Sequence, residues 1–275
     1  MAKGVEFLLE LLDNGRQLTI IGLPGAERAA FLSSIIQAAF SGKYDILVLD
    51  WYGNLAGLNL PSAGFALPYT AIRPYIHRAL STPPDLRSSS ATLEAVITEC
   101  VSEATNLQQA LSSLLTKSSV NPASKLAYLR FQSILAYISD IENMQTHAYV
   151  DLSKIPILVR GVMLQLWIAF AHHLLLSNRP LKKQLLVVEE VGRALRKSVW
   201  VWDLIDEMTV RGVRLILTDQ YVRRSYLNSV LVIVNMSNET LYSTMRFRIQ
   251  LPMIPKRTGE AVVVDGAEHY TVHFS

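Results

Sequence analysis

The sequence predicts an α/β fold: a mostly parallel central sheet with helices on both faces and a helical insertion. Three observations carry that prediction. Four apolar runs, at residues 18–21, 46–49, 185–188 and 215–217, are separated by stretches of helical periodicity. Runs that are apolar on both sides belong to parallel strands covered on both faces. A Gly/Pro turn joins the first run to a helix-patterned segment across residues 18–31 (LTIIGLPGAERAAF). Between residues 91 and 142, three amphipathic stripes follow one another without a sheet-like run. The four apolar runs are therefore expected to lie parallel and adjacent, with 91–142 helical outside the sheet.

In chain order, residues 4–13 (GVEFLLELLD) pattern as a short helix closed by Asn14-Gly15. After the strand at 18–21 and its turn, Phe31, Ile35, Ile36 and Ala39 recur at helical spacing. They mark one buried face of a helix through Phe40, with Gly42 as its cap. Residues 45–50 (DILVLD) form an apolar run that ends in an acid and leads into the turn Trp51-Tyr52-Gly53-Asn54. Residues 55–90 are rich in Pro, Gly and Ser and predict irregular structure, most clearly broken at Pro83-Pro84.

The helical insertion, placed at residues 88–146, carries three stripes. The first runs from Leu93 through Cys100 to Ala104 and the second from Leu107 to Leu115; the third, past Asn121-Pro122, runs from Leu126 through Ile138 to Ile141. Cys100 lies on the buried side of its stripe and reads as a core thiol. A strand at 148–152, a helix at 159–176 and a strand at 184–190 (QLLVVEE) follow. Then come a helix at 200–210, a strand at 214–218, and further strands at 231–234, 246–251, 261–264 and 270–274.

At 275 residues the chain could hold one large α/β domain or two small ones, and a single domain over residues 1–275 is expected; half the residues are hydrophobic and 18% are charged, enough for a large core and against bulk disorder. The mean hydropathy is positive, +0.25. The longest apolar stretch, 161–176, is interrupted by Gln165, His172 and His173 and is shorter than the roughly 20 residues a spanning helix needs. A buried helix and no membrane span are expected. No basic-then-apolar leader opens the chain, and the single cysteine excludes an internal disulfide; both fit a cytoplasmic protein.

The net charge of +3 hides an asymmetry: residues 1–150 carry 10 basic and 12 acidic side chains, residues 151–275 carry 16 and 11. The C-terminal part is the basic one, which permits contact with nucleic acid, most plainly at Arg223-Arg224 and Lys256-Arg257. The six histidines form no metal-ligand spacing; His172-His173 fit a polar seam on a helix. No Ser/His/Asp or Cys/His set points to a nucleophile.

The strand–turn–helix at 18–31 has the order of a phosphate-binding P-loop, in which Gly and four residues precede Gly-Lys-Ser/Thr. Counted from Gly22, through Pro24 and Gly25, those last three positions hold Glu27, Arg28 and Ala29. Glu27 adds a side chain and a negative charge where a glycine would let the backbone close on phosphate. Arg28 keeps the lysine's charge in a planar, bulkier group. Ala29 has no hydroxyl for Mg²⁺. What survives is a helix N-terminus, whose free N–H groups favour an anion; the alternative is an ordinary strand-to-helix turn that binds nothing. The other marked residues sit at the expected C-terminal ends of strands: Asp50, Glu189-Glu190 and Asp219-Gln220. Two acids closing an apolar strand are the Walker B arrangement, one facing Mg²⁺ and the next the attacking water.

Taken as a series, LTIIGLPG, VLDWYGNL, a helical insertion, YVDLSKIP, LLVVEEVGRAL and VRGVRLILTDQ are similar in order and spacing to the HerA/FtsK superfamily of ring-forming, DNA-pumping P-loop ATPases. The likeness spans roughly residues 16–275 and implies a RecA-like sheet, ATP and Mg²⁺ as cofactors, DNA as partner and a homo-oligomeric ring. It assigns Gly22, Pro24, Gly25, Arg28, Ala29 and Asp50 to the nucleotide, Glu189 to Mg²⁺ through water, Glu190 to the attacking water and Gln220 to the γ-phosphate. The arginine the family lends to a neighbouring subunit is displaced here; Arg211 or Arg214 would supply it. About 17 residues precede the first strand, too few for the family's N-terminal β-barrel, so a minimal motor domain is expected. Two functions follow: an ATPase-type subunit of a DNA translocation or packaging machine with hydrolysis impaired by Glu27, Arg28 and Ala29, or a non-hydrolysing assembly module that binds nucleotide or DNA.

Overall fold

The computed structural model describes residues 2–274 apart from 41–43, 65, 82–90, 121, 141–146, 178–181, 196–197, 236, 248 and 250–258. The chain begins with β1 (Ala2–Lys3), α1 (Val5–Asp13), β2 (Leu18–Ile21), α2 (Ala26–Phe40), β3 (Tyr44–Asp50), β4 (Leu67–Pro68) and α3 (Tyr69–Ser81). Three helices follow, α4 (Ala91–Ser102), α5 (Leu107–Ser118) and α6 (Pro122–Ile134), then β5 (Ile138–Ser139), β6 (Ala148–Asp151) and α7 (Ile157–Ser177). The last third holds β7 (Lys183–Val188), α8 (Val191–Ala194), α9 (Val199–Val210), β8 (Arg214–Asp219), β9 (Val230–Ile233), α10 (Asn238–Arg246), β10 (Glu260–Asp265) and β11 (Glu268–His273).

Nine strands form one sheet in the order β1-β11-β10-β9-β2-β8-β7-β3-β6. From β9 to β6 every neighbouring pair is parallel, while β10 is antiparallel to both β9 and β11. The four apolar runs are thus adjacent and parallel, as expected. Strand β2 sits between β8 and β9, whereas the chain that leaves β2 returns as β3, with β8 and β7 in between. Loops diverge at such a switch point, and the crevice beyond the strand C-terminal ends is where ligands bind in open α/β sheets.

Strand alternation sorts the core into two layers. Leu18, Ile20, Ile46, Val48, Leu185, Val187 and Ile216 face α1 and α2, meeting Leu8, Leu12, Phe31, Leu32, Ile35 and Ile36. Leu47, Leu49, Leu186, Val188, Leu215 and Leu217 face the other way, onto α3, α7 and α9. Helix α7 is the centre of that second layer: among the described residues it is the one helix long and apolar enough to cross a membrane, and its Val162–Ala171 stretch is buried within the protein. Its polar seam is His172, whose Nε2 lies 2.9 Å from the Glu207 carboxylate on α9. Helices α4, α5 and α6 stack beyond α3, with Leu93, Ile97, Cys100, Ala110, Leu114 and Phe131 in the same apolar layer.

Three expectations are corrected. Residues 69–81 were expected to be irregular, yet they form α3: Ile72, Ile76, Ala79 and Leu80 make a buried helical face. The surrounding Pro, Gly and Ser, and Pro74 within the helix, mask that period. The third insertion stripe does not run on as helix. It stops at Ile134, passes through a 3-10 turn at Leu135–Tyr137, and Ile138 pairs with Leu67. Residues 246–251 were expected as a strand, but Arg246 ends α10, whose N-cap Ser237 accepts a bond from the Thr240 N–H, and Phe247 is in the following turn. Gly42, Pro83-Pro84, Ile141 and Lys256-Arg257 lie outside the described residues.

Candidate functional site

The turn at residues 22–25 leaves β2 at the C-terminal edge of the sheet and enters α2. Gly22 is needed there for close approach: a Cβ on it would lie 2.6 Å from Asn235 Oδ1, which accepts a hydrogen bond from the Leu23 N–H. At Gly25 a Cβ would meet nothing within 4 Å, so the top of the turn, with Pro24 and Gly25, is open. Helix α2 starts at Ala26, which places Glu27, Arg28 and Ala29 in its first turn. The first N–H groups of a helix have no intrahelical acceptor.

Arg28 does not project into solvent. Its side chain is 1% exposed, and Nη1 donates to the Gly22 carbonyl at 3.0 Å. The same Nη1 lies 2.8 Å from Glu190 Oε1, and Nη2 lies 3.8 Å from Glu189 Oε1. The guanidinium therefore bridges from beneath the turn to both acids at the end of β7. Nη2 is buried and makes no hydrogen bond.

Glu189 and Glu190 are both buried. Glu189 Oε2 accepts the Trp51 N–H at 3.2 Å. Burial, followed by the neighbouring Asp50 carboxylate, holds the Glu189 carboxyl well above the usual carboxylate range; Arg28 opposes the shift without cancelling it. Glu190 has a left-handed backbone, φ 55° and ψ 38°, the one positive φ at a non-glycine among the described residues. A glutamate costs about 1–3 kcal/mol in such a conformation, and strain of this kind collects at functional sites. Its N–H donates to Thr218 Oγ1, and its Oε2 accepts from Gln220 Nε2 at 3.1 Å.

Gln220 follows β8, which is paired with β7 in the sheet, so it meets Glu190 directly. Its Nε2 also lies 3.4 Å from the Tyr52 hydroxyl, and the Arg28 guanidinium lies 5.8 Å from the Tyr52 ring centre. Tyr52 thus joins the cluster, although the sequence marked it only as part of a turn. Asn235, which fixes the turn, carried no signal in the sequence.

Asp50 is spent on its own turn. Its Oδ1 accepts the Tyr52 and Gly53 N–H groups, and Oδ2 accepts the Leu55 N–H and the Tyr149 hydroxyl, all within 2.9 Å. Arg160 clamps the same turn from outside through the Trp51 carbonyl. These bonds make Asp50 the anchor of the roof over Glu189.

The arginines divide. Arg211 caps the C-terminus of α9, exposed and 3.4 Å from Glu207. It precedes β8, at the opposite edge of the sheet from the crevice, about a strand length of 20 Å away, so it does not join this chain's own cluster. Arg214 donates to the Asp13 carbonyl, a structural role. Arg223 is ion-paired with Asp219, which also accepts from the Gln220 N–H and the Tyr226 hydroxyl. Gly192 is required by that knot: a Cβ there would overlap Asp219 Oδ2 and the Arg223 guanidinium. Arg224 is exposed on the other side of the same segment. Between residues 221–224 and α10 lies an open cleft of about 680 Å³, lined by Tyr221, Arg223, Arg224, Tyr242, Arg246 and Phe247. Neither Arg224 nor Arg246 has a carboxylate partner among the described residues.

The Mg²⁺ implied by the resemblance does not fit this donor set. Ala29 offers no side-chain oxygen, Glu189 Oε2 already accepts the Trp51 N–H while its Oε1 lies 3.8 Å from the Arg28 guanidinium, and the Glu190 oxygens lie against Arg28 and Gln220. Among the described residues no group of three or more His, Cys, Asp or Glu is placed to hold a metal ion.

No protein-family model and no curated protein matches the sequence. Solved structures do. VirB4 of Thermoanaerobacter pseudethanolicus superposes with a TM-score of 0.70 over 94% of this chain and 89% of its own, at 12% identity. The bacterial conjugative coupling protein TrwBdeltaN70 gives 0.58 over 95% and 86%, at 10% identity. At such identities the likeness establishes the fold: the chain shares the α/β architecture of these two proteins.

Proposed function

We propose that this chain is an ATPase-type subunit of a DNA-transfer or DNA-packaging machine whose own phosphate site is impaired for hydrolysis. One observation carries the impairment: Arg28, at the position of the catalytic lysine, is buried and ion-paired with Glu190, the residue that would activate water. An acid bonded to a guanidinium is a weaker base, because accepting a proton would remove the charge that the pair stabilises. Glu190 and Gln220 stand together as the family's base and γ-phosphate sensor would. With Arg28 drawn onto Glu190 and the Gly22 carbonyl, its guanidinium stays beneath the turn instead of reaching out along a terminal phosphate as an extended lysine would.

The fold shared with VirB4 and with a conjugative coupling protein supports the motor lineage. In this reading copies of the chain form a ring, Arg211 faces the neighbour's crevice, and DNA meets the cleft beside the sensor strand. Arg224 and Arg246 supply charge there for phosphates, and Tyr221 and Tyr242 supply rings for bases. Steady-state ATP turnover tests the impairment. The native chain is expected to match its Glu190→Gln variant within about twofold, and a native rate well above that variant would overturn the proposal.

A further inference from the structure

We propose that the phosphate site takes a di- or triphosphate anion without a divalent metal, the Arg28 guanidinium standing in the metal's place. The inference deepens the function proposed above and rests on it. In an intact P-loop the cation that neutralises the phosphates and the cation that satisfies the Walker B acids are two groups, a lysine and Mg²⁺. Here one group reaches both territories. Arg28 stems from the first turn of α2, its Nη1 bonds the turn's own Gly22 carbonyl and Glu190, and its Nη2 approaches Glu189.

Arg28 stands among the oxygens that would meet a metal. Ala29 contributes no side-chain oxygen, the Glu190 carboxylate lies between Arg28 and Gln220, and Glu189 turns its Oε1 toward the Arg28 guanidinium at 3.8 Å while its Oε2 accepts the Trp51 N–H. A divalent ion entering there would also lie within a few Å of a guanidinium, and like charges repel strongly where water is scarce. Replacing Arg28 by Mg²⁺ would first break a buried ion pair.

An anion fits better. Nη2 of Arg28 is a fully buried donor with no hydrogen-bond partner, in a side chain that is 1% exposed. Such a donor calls for an acceptor, and a guanidinium can serve a carboxylate and a phosphate oxygen at once through separate N–H groups. Arg28 stems from the first turn of α2, where the leading N–H groups have no intrahelical acceptor, and a Cβ at Gly25 would meet nothing within 4 Å. Phosphate oxygens would therefore be held by backbone N–H groups and Arg28, with no metal between.

The test is a calorimetric titration of the full chain with ATP, ADP and tripolyphosphate, each in EDTA and in millimolar Mg²⁺. Dissociation constants for ATP that agree within threefold between the two conditions support the proposal. Binding more than threefold tighter in Mg²⁺, or no binding in either condition, overturns it. Equal binding of tripolyphosphate and ATP would assign recognition to the phosphates alone; ATP binding without tripolyphosphate binding would place recognition at the base and contradict the role given to Arg28. As a second arm, Glu27→Gly with Arg28→Lys and Ala29→Thr should bind ATP at least tenfold tighter in Mg²⁺ than in EDTA. A restored variant that is as indifferent to metal as the native chain would show that residues 27–29 do not set metal use, and would overturn the proposal. Robust native turnover would defeat the function proposed above separately, whatever the titration shows.

Discussion

Arg28 concentrates the chemistry of the crevice in one side chain. Truncating it leaves Glu190 and Glu189 without their cation in a buried setting, and breaking a buried pair from one side costs about 3–5 kcal/mol. Arg28→Ala is therefore expected to lower stability by that amount in urea denaturation, while Arg28→Lys, which keeps the charge, should lose clearly less. Equal losses would mean that packing of the side chain, rather than its charge, holds the site. Glu189 adds a pH dependence. Its carboxyl is held above the ordinary value of 4.5 mainly by burial. The folded state therefore binds a proton that the unfolded state has released. The associated stability is fully present below pH 4.5 and is lost as pH rises through the elevated folded value. Glu189→Gln cannot titrate, so its stability relative to the native chain should improve steadily with rising pH. A difference that is flat across that window, or one that runs the other way, would show that Glu189 ionises normally.

At the scale of elements, α10 and the segment after β8 form the basic cleft, and they are where DNA contact is predicted. Arg224 and Arg246 face the cleft, whereas Arg223 is tied to Asp219 beneath it. Reversing the first two (Arg224→Glu with Arg246→Glu) should weaken binding of a DNA oligonucleotide and flatten its salt dependence by roughly 0.7 to 0.9 per lost phosphate contact. An unchanged salt slope would remove DNA from this face. Arg223→Glu should instead lower stability, by repelling Asp219. The two classes of arginine were not separable from sequence, where Arg223-Arg224 is simply a basic pair, because pairing with Asp219 is a property of the folded turn. The same limit explains the other differences. Strands β2, β3, β7 and β8 are doubly apolar and read directly, since burial on both faces leaves a continuous signature. Helix α3 hid among Pro, Gly and Ser, and α10 hid because Arg246-Phe247 alternates like a strand. Glu189, Glu190 and Gln220 could be placed from strand ends, but Tyr52 and Asn235 enter the site only through tertiary contacts.

For the whole molecule, sheet order brings the turn after β2 and Gln220 after β8 side by side, with Glu190 one strand further on. In the proposed reading, Glu190 and Gln220 hold the places of an ATPase's base and sensor, while residues 27–29 depart from its phosphate loop. The central claim is that those three residues, through Arg28, hold an otherwise competent site inactive. The most direct measurement is ATP turnover in the Glu27→Gly/Arg28→Lys/Ala29→Thr chain, alongside the native chain and the same triple variant carrying Glu190→Gln. Extending a lysine, restoring a hydroxyl and removing the Glu27 charge should raise turnover at least tenfold over native, a barrier change of about 1.4 kcal/mol. Adding Glu190→Gln should return it to the native level. A native chain that already turns over as fast as the triple variant would contradict the account, and so would a triple variant no faster than background.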